Sequence, residues 1–423
     1  MKKRLPLSYK ILFFSYTVFL IACNSGKNYY RSFNYPYEID VKDLLMADVQ
    51  VVHSDDRYSY LYYSISSSQL KYKKTDFDSL YTSAIKVSYE YPDKKSSRAK
   101  GDTAFFIFYD HVKKTKEHLV TGKIKLKIPS GYYGYIDFSF FDMNSGKRGL
   151  KCVFVNKKSR STSCNFLVQR KGHKMSNWNF YQKYDTLLIS NERVKNAHQL
   201  FVRFFEFEQM MAFPPFSPIE SLSPSKFSNQ FILNAFDGKF FLPVSSQGVY
   251  LCRTDTSSSE GLSLIALDND KFQEVSKEQK LYSLRYILTN DEYSKLVSGE
   301  VKDEEIWEQF AGSKQRSLML MKEWCRRIMV SNFFFTRNKE GYKSDQGMIY
   351  LVFGSPSIVE RTNEKERWHY GLESSLNSFI FEFERVPDGL FEDNFRLIRG
   401  TQNKTKWYNA VDIWRNGRVY GGN

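Results

Sequence analysis

A serine and an acidic residue stand side by side in the stretch EGYKSDQGMIYLVFGSP, residues 340–356, and this pair could do chemistry. Ser344 could act as a nucleophile and Asp345 as an acid or base, if a general base lay within hydrogen-bond reach of the hydroxyl. Adjacent residues on an extended segment point apart, and no histidine lies nearby in the sequence. We therefore expect a structural role, in which Asp345 caps backbone N–H groups or pairs with a helix arginine such as Arg326 or Arg327.

The same stretch predicts a hairpin that shapes a domain. Gly341 supplies a turn, Tyr342 packs with its hydroxyl at the surface, and a strand over residues 347–353 begins at Gly347. Gly354-Ser355-Pro356 closes this strand. It predicts a turn and not a phosphate cradle, because no helix N-terminus with a lysine accompanies it.

No catalytic motif occurs elsewhere. The sequence lacks a G-x-S-x-G elbow, an H-E-x-x-H helix, a P-loop and a G-x-G-x-x-G turn. The six histidines are dispersed, and none has metal spacing from another histidine or a cysteine. His53-Ser54-Asp55-Asp56 could bind a divalent ion through its carboxylates, but a solvated turn at a strand end fits this pattern better. We expect a non-enzymatic protein with no cofactor and no metal site.

Two cysteines could form a disulfide. Cys152 and Cys164 lie in GLKCVFVNKKSRSTSCNFLVQR, which predicts two strands around a polar turn. In such a hairpin the two cysteines fall nearly opposite each other. A cross-strand disulfide and a pair of buried free thiols both fit.

The N-terminus has the features of an export signal. Lys2-Lys3-Arg4 is basic, and residues 11–21 form an uncharged apolar run, too short for a bilayer span of about 20 residues. Leu20-Ile21-Ala22-Cys23 resembles a bacterial lipobox, in which the cysteine is lipidated and becomes the first mature residue. The alternative is an ordinary signal peptide that happens to contain a cysteine. We expect residues 1–22 to be a lipoprotein signal peptide and Cys23 to carry a lipid anchor.

Residues 23–40 are expected to form a flexible, lipidated tether. No acidic run follows Cys23, whereas such a run resembles a surface-export signal in lipoproteins of the Bacteroidetes type. Its absence favours a position on the outer membrane that faces the periplasm.

Composition and charge indicate a globular, basic chain. Aromatic residues make up 17% of the 423 residues, which favours a β-rich protein over a disordered one. Without the predicted signal peptide, 58 basic residues stand against 47 acidic ones, a net charge of +11. A basic envelope protein could contact anionic lipid or cell-wall polymer, but the lysines are scattered, as on a solvated surface. Export makes nucleic acid an unexpected partner.

Strand-like runs fill the N-terminal half. In KIKLKIP, for example, Ile124, Leu126 and Ile128 face one way and the lysines the other. Short alternating strands broken by polar turns predict β-sandwiches. We expect a sandwich-like domain over residues 41–129 and a second β-rich domain over 130–268, with the boundary near Pro129-Ser130-Gly131.

The pattern then becomes helical. Ser276-x-x-Gln279 and Thr289-x-x-Glu292 are typical capping boxes. A helical segment is therefore expected over residues 269–339, and a small α+β domain over 340–423. A Pro-dense stretch upstream, residues 213–227, predicts a connection packed over the β-region or between domains. The predicted fold class is thus multidomain, β-rich plus α+β.

The opening stretch also resembles a known signature. EGYKSDQGMIYLVFGSP resembles that of the GWxTD-domain proteins, bacterial proteins of uncharacterised function found largely in Bacteroidetes. The namesake residues align with Gly341, Tyr342, Ser344 and Asp345, with tyrosine in place of tryptophan and serine in place of threonine. RWHYG at 367–371 and the terminal TKWYNAVDIWRNGRVYG are similar to the family pattern as well. The resemblance implies a lipoprotein with β-rich N-terminal domains and a C-terminal α+β module, and it implies no reaction.

We expect a non-enzymatic outer-membrane lipoprotein that serves as a scaffold or accessory subunit of a cell-envelope assembly, with protein partners there. A glycan- or peptidoglycan-binding lipoprotein is the alternative, and it would show tryptophan and tyrosine side chains in a row on one sandwich face. A hydrolase with a site assembled from distant residues would show a deep pocket in which histidines and carboxylates converge.

Overall fold

The computed structural model describes residues 30–32, 45–74, 80–90, 103–113, 117–171, 180–191, 193–194, 197–218, 225–268, 274–371, 378–386 and 388–421. The strands, in chain order, are β1 Tyr30–Ser32, β2 Asp48–His53, β3 Ser59–Ser66, β4 Lys73–Lys74, β5 Tyr81–Glu90, β6 Thr103–Val112, β7 Leu119–Leu126, β8 Tyr133–Asp142, β9 Arg148–Asn156, β10 Phe166–Arg170, β11 Tyr181–Gln182, β12 Thr186–Asn191, β13 Gln199–Phe205, β14 Asn229–Asn234, β15 Phe240–Pro243, β16 Gly248–Arg253, β17 Leu262–Leu267, β18 Ile358–Arg361, β19 Lys365–Tyr370, β20 Phe379–Arg385 and β21 Phe395–Leu397. The α-helices are α1 Lys277–Ser283, α2 Asn290–Ser298, α3 Asp303–Ala311, α4 Lys314–Phe335, α5 Asp345–Phe353 and α6 Lys404–Arg415.

The first β-sandwich is built from two antiparallel sheets. One has the order β2-β3-β7, and the other has the order β4-β5-β8-β9 with β6 paired to β5. Side chains from both sheets form one buried cluster, to which Leu61, Ile124 and Phe138 belong. The alternation in KIKLKIP is confirmed, because Ile124, Leu126 and Ile128 are buried while the lysines between them are exposed.

The predicted boundary near residues 129–131 falls inside this sandwich. β8, which follows the boundary, pairs with β5, which precedes it, from Ile85 opposite Asp142 to Glu90 opposite Asp137. Phe138 and Phe140 of β8 share the buried cluster with strands from before residue 129. The sequence shows a turn there, but long-range strand pairing makes that turn internal to a domain.

The second β-sandwich follows directly. Its sheets have the orders β10-β12-β15 and β11-β17-β16-β13-β14. Phe166, Ile189 and Leu242 of the smaller sheet pack with Val202 and Tyr250 of the larger one. The opposite face of the larger sheet contacts the C-terminal part of the chain, where Leu251 and Ile265 join a cluster with Leu390.

The C-terminal part is a single α+β unit. Its sheet has the order β1-β18-β19-β20-β21. The α-helices and this sheet share one core. In it, the rings of Trp307 in α3, Trp324 in α4 and Trp414 in α6 pack edge to face or tilted. The predicted helical segment 269–339 and the predicted domain 340–423 therefore have no separate cores. Both predicted capping boxes are confirmed, at Ser276 with Gln279 and at Thr289 with Glu292.

The N-terminal segment contributes one strand to that sheet. Tyr30–Ser32 pairs antiparallel with β18, Tyr30 opposite Arg361 and Ser32 opposite Val359. This differs from the expectation of a flexible tether over all of residues 23–40. The edge of the C-terminal sheet offers N–H and C=O groups that an extended segment can bind.

The C-terminal unit is fastened to the first sandwich by arginines that lie over aromatic rings. The guanidinium carbon of Arg385 lies 3.8 Å from the ring centre of Phe154, and Arg361 lies 5.1 Å from that of Tyr135. The Asn363 side-chain amide donates to the Tyr133 carbonyl at 2.8 Å. These contacts fix the position of the C-terminal sheet against the outward face of β8 and β9.

Candidate functional site

The motif, residues 341–345, is a helical turn that leads into a helix, so the predicted hairpin is wrong. Gly341–Lys343 form a single 3-10 turn, and α5 follows it. Ser344 caps α5, because its Oγ accepts the Gly347 N–H at 3.0 Å while its hydroxyl donates to the Gly341 carbonyl at 2.7 Å. Every residue of 347–353, predicted as a strand, is buried in this helix. In a short run of apolar residues, the spacing of the side chains does not distinguish a buried strand from a helix that is buried on all sides.

Two glycines allow the turn to pack tightly. A Cβ atom on Gly341 would lie 1.9 Å from the Ser331 carbonyl oxygen of α4. A Cβ atom on Gly347 would lie 1.8 Å from the Gly341 carbonyl oxygen. Neither separation is sterically allowed, so the close approach of the backbone requires glycine at position 341 of the motif and at position 347 of α5.

Tyr342 is part of the core, contrary to the expectation of a hydroxyl at the surface. Its side chain is only 1% exposed. Its backbone N–H donates to Asn332 Oδ1 at 3.1 Å, and its carbonyl accepts the Tyr286 hydroxyl at 3.0 Å. Burial raises the pKa of the Tyr342 phenol well above its usual range. The aromatic residue of the motif therefore anchors the turn between α4 and the helices before it.

Asp345 pairs with an arginine far along the chain and not with Arg326 or Arg327. Its Oδ2 accepts the Leu397 backbone N–H at 2.8 Å and Arg399 Nη1 at 3.0 Å, and its Oδ1 accepts Arg399 Nη2. Asp345 does accept a backbone N–H, but that of Leu397 in β21 and not one of the adjacent turn, and the predicted ion-pair partners are wrong. Nothing in the sequence marked Arg399, because only the fold brings β21 beside the start of α5.

The two predicted arginines have other partners. Arg326 binds Glu323 at 2.7 Å. Arg327 is buried at the other end of α5, where it donates to the Leu351 and Val352 carbonyls at 3.1 and 3.3 Å. A cation at a helix C-terminus stabilises the unpaired carbonyls. Pro356, beyond the end of α5, leads to β18.

A strap of chain, residues 206–218, crosses the motif. The Ala212 N–H donates to the Lys343 carbonyl at 2.9 Å, and Lys343 Nζ donates to Gln209 Oε1 at 2.8 Å. Arg399 donates to the Phe213 carbonyl at 3.2 Å. The strap shares residues 213–218 with the Pro-dense stretch, which was expected to be a connection, and it links the second sandwich to the C-terminal unit through the contacts of Gln209, Ala212 and Phe213.

A cleft of about 430 Å³ lies between the strap and the C-terminal unit. Motif residues Lys343, Ser344 and Asp345 form part of its wall. Met210 and Phe213 of the strap also line it, and these side chains are 45% and 38% exposed. The cleft thus combines the motif with apolar side chains open to solvent, and it is our candidate functional site.

Ion pairs surround the cleft. Arg337 binds Asp393 at 2.8 Å, and Lys339 binds Glu208 at 3.0 Å. Lys343, although only 4% exposed, binds Glu340 at 2.8 Å. Each of these cations has a carboxylate partner, so the rim is polar without being a free positive patch.

The segment His53-Ser54-Asp55-Asp56 is the end of β2 and the turn after it, in which Ser54, Asp55 and Asp56 are exposed, as expected, whereas His53 is buried. His53 Nε2 lies 3.0 Å from the Asn156 carbonyl oxygen, so it must donate, and Nδ1 lies 2.9 Å from Ser59 Oγ. Lys157 Nζ donates to Ser59 Oγ at 3.2 Å. Burial lowers the pKa of His53 to about 4 and that of Lys157 to about 8. The imidazole is therefore neutral at physiological pH and belongs to a buried hydrogen-bond network.

The carboxylates of that segment are also occupied. Asp55 Oδ1 accepts the Arg57 and Tyr58 N–H groups at 2.8 and 2.7 Å. Asp56 forms an ion pair with Arg193 of the second sandwich. Across the described residues, no three histidine, cysteine or carboxylate side chains cluster as metal ligands.

Cys152 and Cys164 do not face each other in a hairpin. Cys152 lies in β9 opposite Asp137 of β8, whereas Cys164 lies in a 3-10 turn before β10, which belongs to the second sandwich. Neither forms a disulfide in the described part of the chain, and burial raises the pKa of Cys164 to about 12. The predicted hairpin is wrong because its two strands join different sheets.

Cys23 and the predicted signal peptide lie outside the described residues. In the part of the chain that the structure describes, no helix is both long and apolar enough to cross a membrane. Lipidation of Cys23 therefore stays a prediction.

The family model for the GWxTD domain matches residues 248–416. This part of the chain, which includes the motif, is thus identified as a GWxTD domain. The matched stretch is longer than the predicted module 340–423, since it begins in β16 and includes all six α-helices found among the described residues.

The other comparisons add no function. No curated protein matches the chain. One similar solved structure is Escherichia coli alpha-2-macroglobulin activated by porcine elastase, at 11% sequence identity and a TM-score of 0.12. The match covers 52% of this chain and 22% of that chain. A likeness at this TM-score carries no argument about this protein.

Proposed function

We propose that the protein is a non-enzymatic, lipid-anchored scaffold or accessory subunit of an outer-membrane assembly, and that its cleft receives a segment of a protein partner. One observation carries the proposal. The motif residues form the wall of a cleft whose other wall, the strap, exposes Met210 and Phe213. Exposed methionine and aromatic side chains in a cleft are typical of protein recognition.

The occupied side chains of the motif favour binding over catalysis. Both oxygens of Asp345 accept hydrogen bonds from Arg399 or Leu397. The Ser344 hydroxyl donates to the Gly341 carbonyl and accepts the Gly347 N–H. A serine nucleophile needs a hydrogen bond to a base that can accept its proton, whereas this hydroxyl donates its hydrogen bond to a carbonyl. The motif therefore serves to build the cleft wall.

The N-terminal strand supports an anchored orientation. Only seven peptide bonds separate Cys23 from Tyr30, the first residue of β1, so the span between them is at most about 25 Å. A lipid on Cys23 would hold the β1 edge of the C-terminal sheet close to the membrane surface, facing the periplasm.

The glycan alternative has one candidate surface. Tyr58, Tyr60 and Tyr62 lie along or just before β3, which resembles the row of rings that a sugar platform needs. Lys125 lies 3.7 Å from the ring centre of Tyr58, and Lys123 lies 3.8 Å from that of Tyr60. The lysines cover the faces on which a sugar would stack, so this row favours the alternative less than the cleft favours a protein partner.

The cleft is tested by affinity purification of the tagged full-length protein from its own detergent-solubilised envelope. Wild type should recover an envelope partner in stoichiometric amount. Met210→Glu should lose most of it, because a charge then enters the apolar wall. Met319→Glu is the matched control, since Met319 is also exposed, at 67%, on α4. Equal recovery with both variants would contradict the cleft as the binding site. Recovery of no partner by wild type would turn attention to cell-wall fragments.

The anchor is tested separately. Cys23→Ser should abolish incorporation of radiolabelled palmitate and release the protein from the membrane fraction. If Cys23→Ser still incorporated the label, lipidation at Cys23 would be wrong. If a protease added to intact cells cleaved the protein, the periplasm-facing position would be wrong.

A further inference from the structure

The first sandwich has a long open edge at β6. β6 pairs with β5 along all ten of its residues, from Thr103 opposite Glu90 to Val112 opposite Tyr81. No other strand in the described part of the chain pairs with it. Every second N–H and C=O group of β6 therefore points away from the sheet, where another strand can add.

The edge lacks the usual protection. Edge strands are commonly blocked by proline, lysine, a bulge or a short length. The β6 sequence TAFFIFYDHV contains no proline, glycine, lysine or arginine. Its register with β5 runs without a bulge. Such an edge is suited to pairing, and a closed pairing prevents uncontrolled addition of strands.

Apolar side chains stand on the outward face of β6. Phe105 and Tyr109 are each 62% exposed, and Ile107 between them is 39% exposed. The same face of the sheet is already an interface at β8 and β9, where Arg385 packs on Phe154. The exposed part is thus continuous with an established packing surface.

We propose that β6 pairs antiparallel with β6 of a second copy of this chain. With Ile107 opposite Ile107 of the second copy, Phe105 falls opposite Tyr109 and Phe106 opposite Phe108. Cross-strand aromatic pairs of this kind stabilise antiparallel sheets. The one carboxylate, Asp110, falls opposite Ala104, so no like charges meet. The twofold pairing uses the free edge of β6 in each of the two copies, so no further strand can add there.

Cysteine cross-linking of the full-length protein in detergent tests the pairing. Directly opposite residues have Cβ atoms about 4.5–5.5 Å apart, close to disulfide reach. Ile107→Cys should give a covalent dimer on mild oxidation. Ile232→Cys is the matched control, because Ile232 is 51% exposed on β14, which is also an edge strand. It should give no more dimer than wild type.

The register is tested with two further variants. Phe105→Cys mixed with Tyr109→Cys should cross-link to each other faster than either does to itself, because identical positions lie about 13 Å apart along the strands. Ile107→Lys should raise the dimer dissociation constant at least about tenfold, the equivalent of about 1.4 kcal/mol. Retained thermal stability of the Ile107→Lys protein, measured in parallel, would confirm that it is folded.

Two results would overturn the proposal. One is a wild-type protein that is monomeric by mass at all salt concentrations, with equal cross-linking at residues 107 and 232. The other is an Ile107→Cys protein that cross-links in cells only to a different protein. This result would show that β6 pairs with a strand of that protein and not with a second copy of this chain. The β6 edge and the cleft are separate surfaces, so either result leaves the cleft proposal unaffected.

Discussion

Asp345 shows how a residue with catalytic potential is used for structure. Its carboxylate lies at the start of α5, holds Arg399 and binds the backbone of β21. Asp345 is 11% exposed and Arg399 is 8% exposed. An ion pair this buried is costly to break, because the remaining charge keeps its desolvation penalty without its partner.

Asp345→Asn should therefore lower the free energy of unfolding by about 3 kcal/mol, visible as a fall in Tm. Asp291→Asn serves as the control, because Asp291 is 76% exposed in its pair with Lys295. Its loss should cost less than about 0.5 kcal/mol. Unchanged Tm for Asp345→Asn together with a lost partner would show that the motif acts in binding directly, contrary to our interpretation.

The buried His53 should make the free energy of unfolding depend on pH. Burial lowers its pKa to about 4 in the folded state, against about 6.5 in an unfolded chain. Between these values the unfolded state binds more protons, so stability falls as pH drops from about 6.5 to about 4, by up to about 3 kcal/mol. His53→Gln should flatten this part of the Tm-against-pH curve. His111→Gln, at an exposed position, should leave the curve unchanged; the same flattening in both would rule out His53 as the cause.

At the scale of elements, the sequence signals differed in strength. Both capping boxes predicted helix starts correctly, because a cap is a local arrangement of side chain and backbone. The strand predicted over residues 347–353 is wrong, because α5 is buried on every side and shows no amphipathic period. The Ser344 cap was the local signal that could have identified this helix.

Gly347→Ala tests the close packing of α5. Alanine in a helix normally stabilises it by about 1 kcal/mol relative to glycine. Here the Cβ atom would meet the Gly341 carbonyl oxygen at 1.8 Å, so the variant should lower the Tm instead. Ser294→Ala in the exposed face of α2 is the control and should leave the Tm unchanged or slightly higher. A raised Tm for Gly347→Ala would contradict the close approach.

At the scale of the whole molecule, three units are joined by specific contacts. Arg385 connects the C-terminal sheet to the first sandwich, and the strap connects the second sandwich to the motif. Asn156 of the first sandwich donates to Glu392 of the C-terminal unit at 3.0 Å. The proposed scaffold role requires such contacts, because the surfaces that bind partners must keep fixed relative positions.

Arg385→Met should loosen the joint between the C-terminal unit and the first sandwich. It retains the apolar stem but removes the charge over Phe154 and the donor to the Glu392 carbonyl, which lies 3.1 Å from Nη1. We expect a lower Tm and faster cleavage near the joint in limited proteolysis. Arg396→Met, whose partner Glu384 is 39% exposed, is the control. Equal cleavage of both variants would show that Arg385 does not hold the joint.

Local sequence patterns predict the strand-rich N-terminal half and the helical segment with its caps, because periodicity and caps involve neighbouring residues, and residues 340–356 carry the GWxTD signature. The lipid anchor also stays a sequence prediction, which rests on the lipobox-like Leu20-Ile21-Ala22-Cys23 after an uncharged apolar run. The tertiary packing, in contrast, buries residues 347–353 of α5, makes Arg399 the partner of Asp345 and forms the cleft between the strap and the motif. It also decided that Cys152 and Cys164 lie apart. Asp345 and Arg399 are 54 positions apart, and Phe213 of the strap contacts Arg399 at a separation of 186 positions. Such contacts form only when distant elements of the chain pack together.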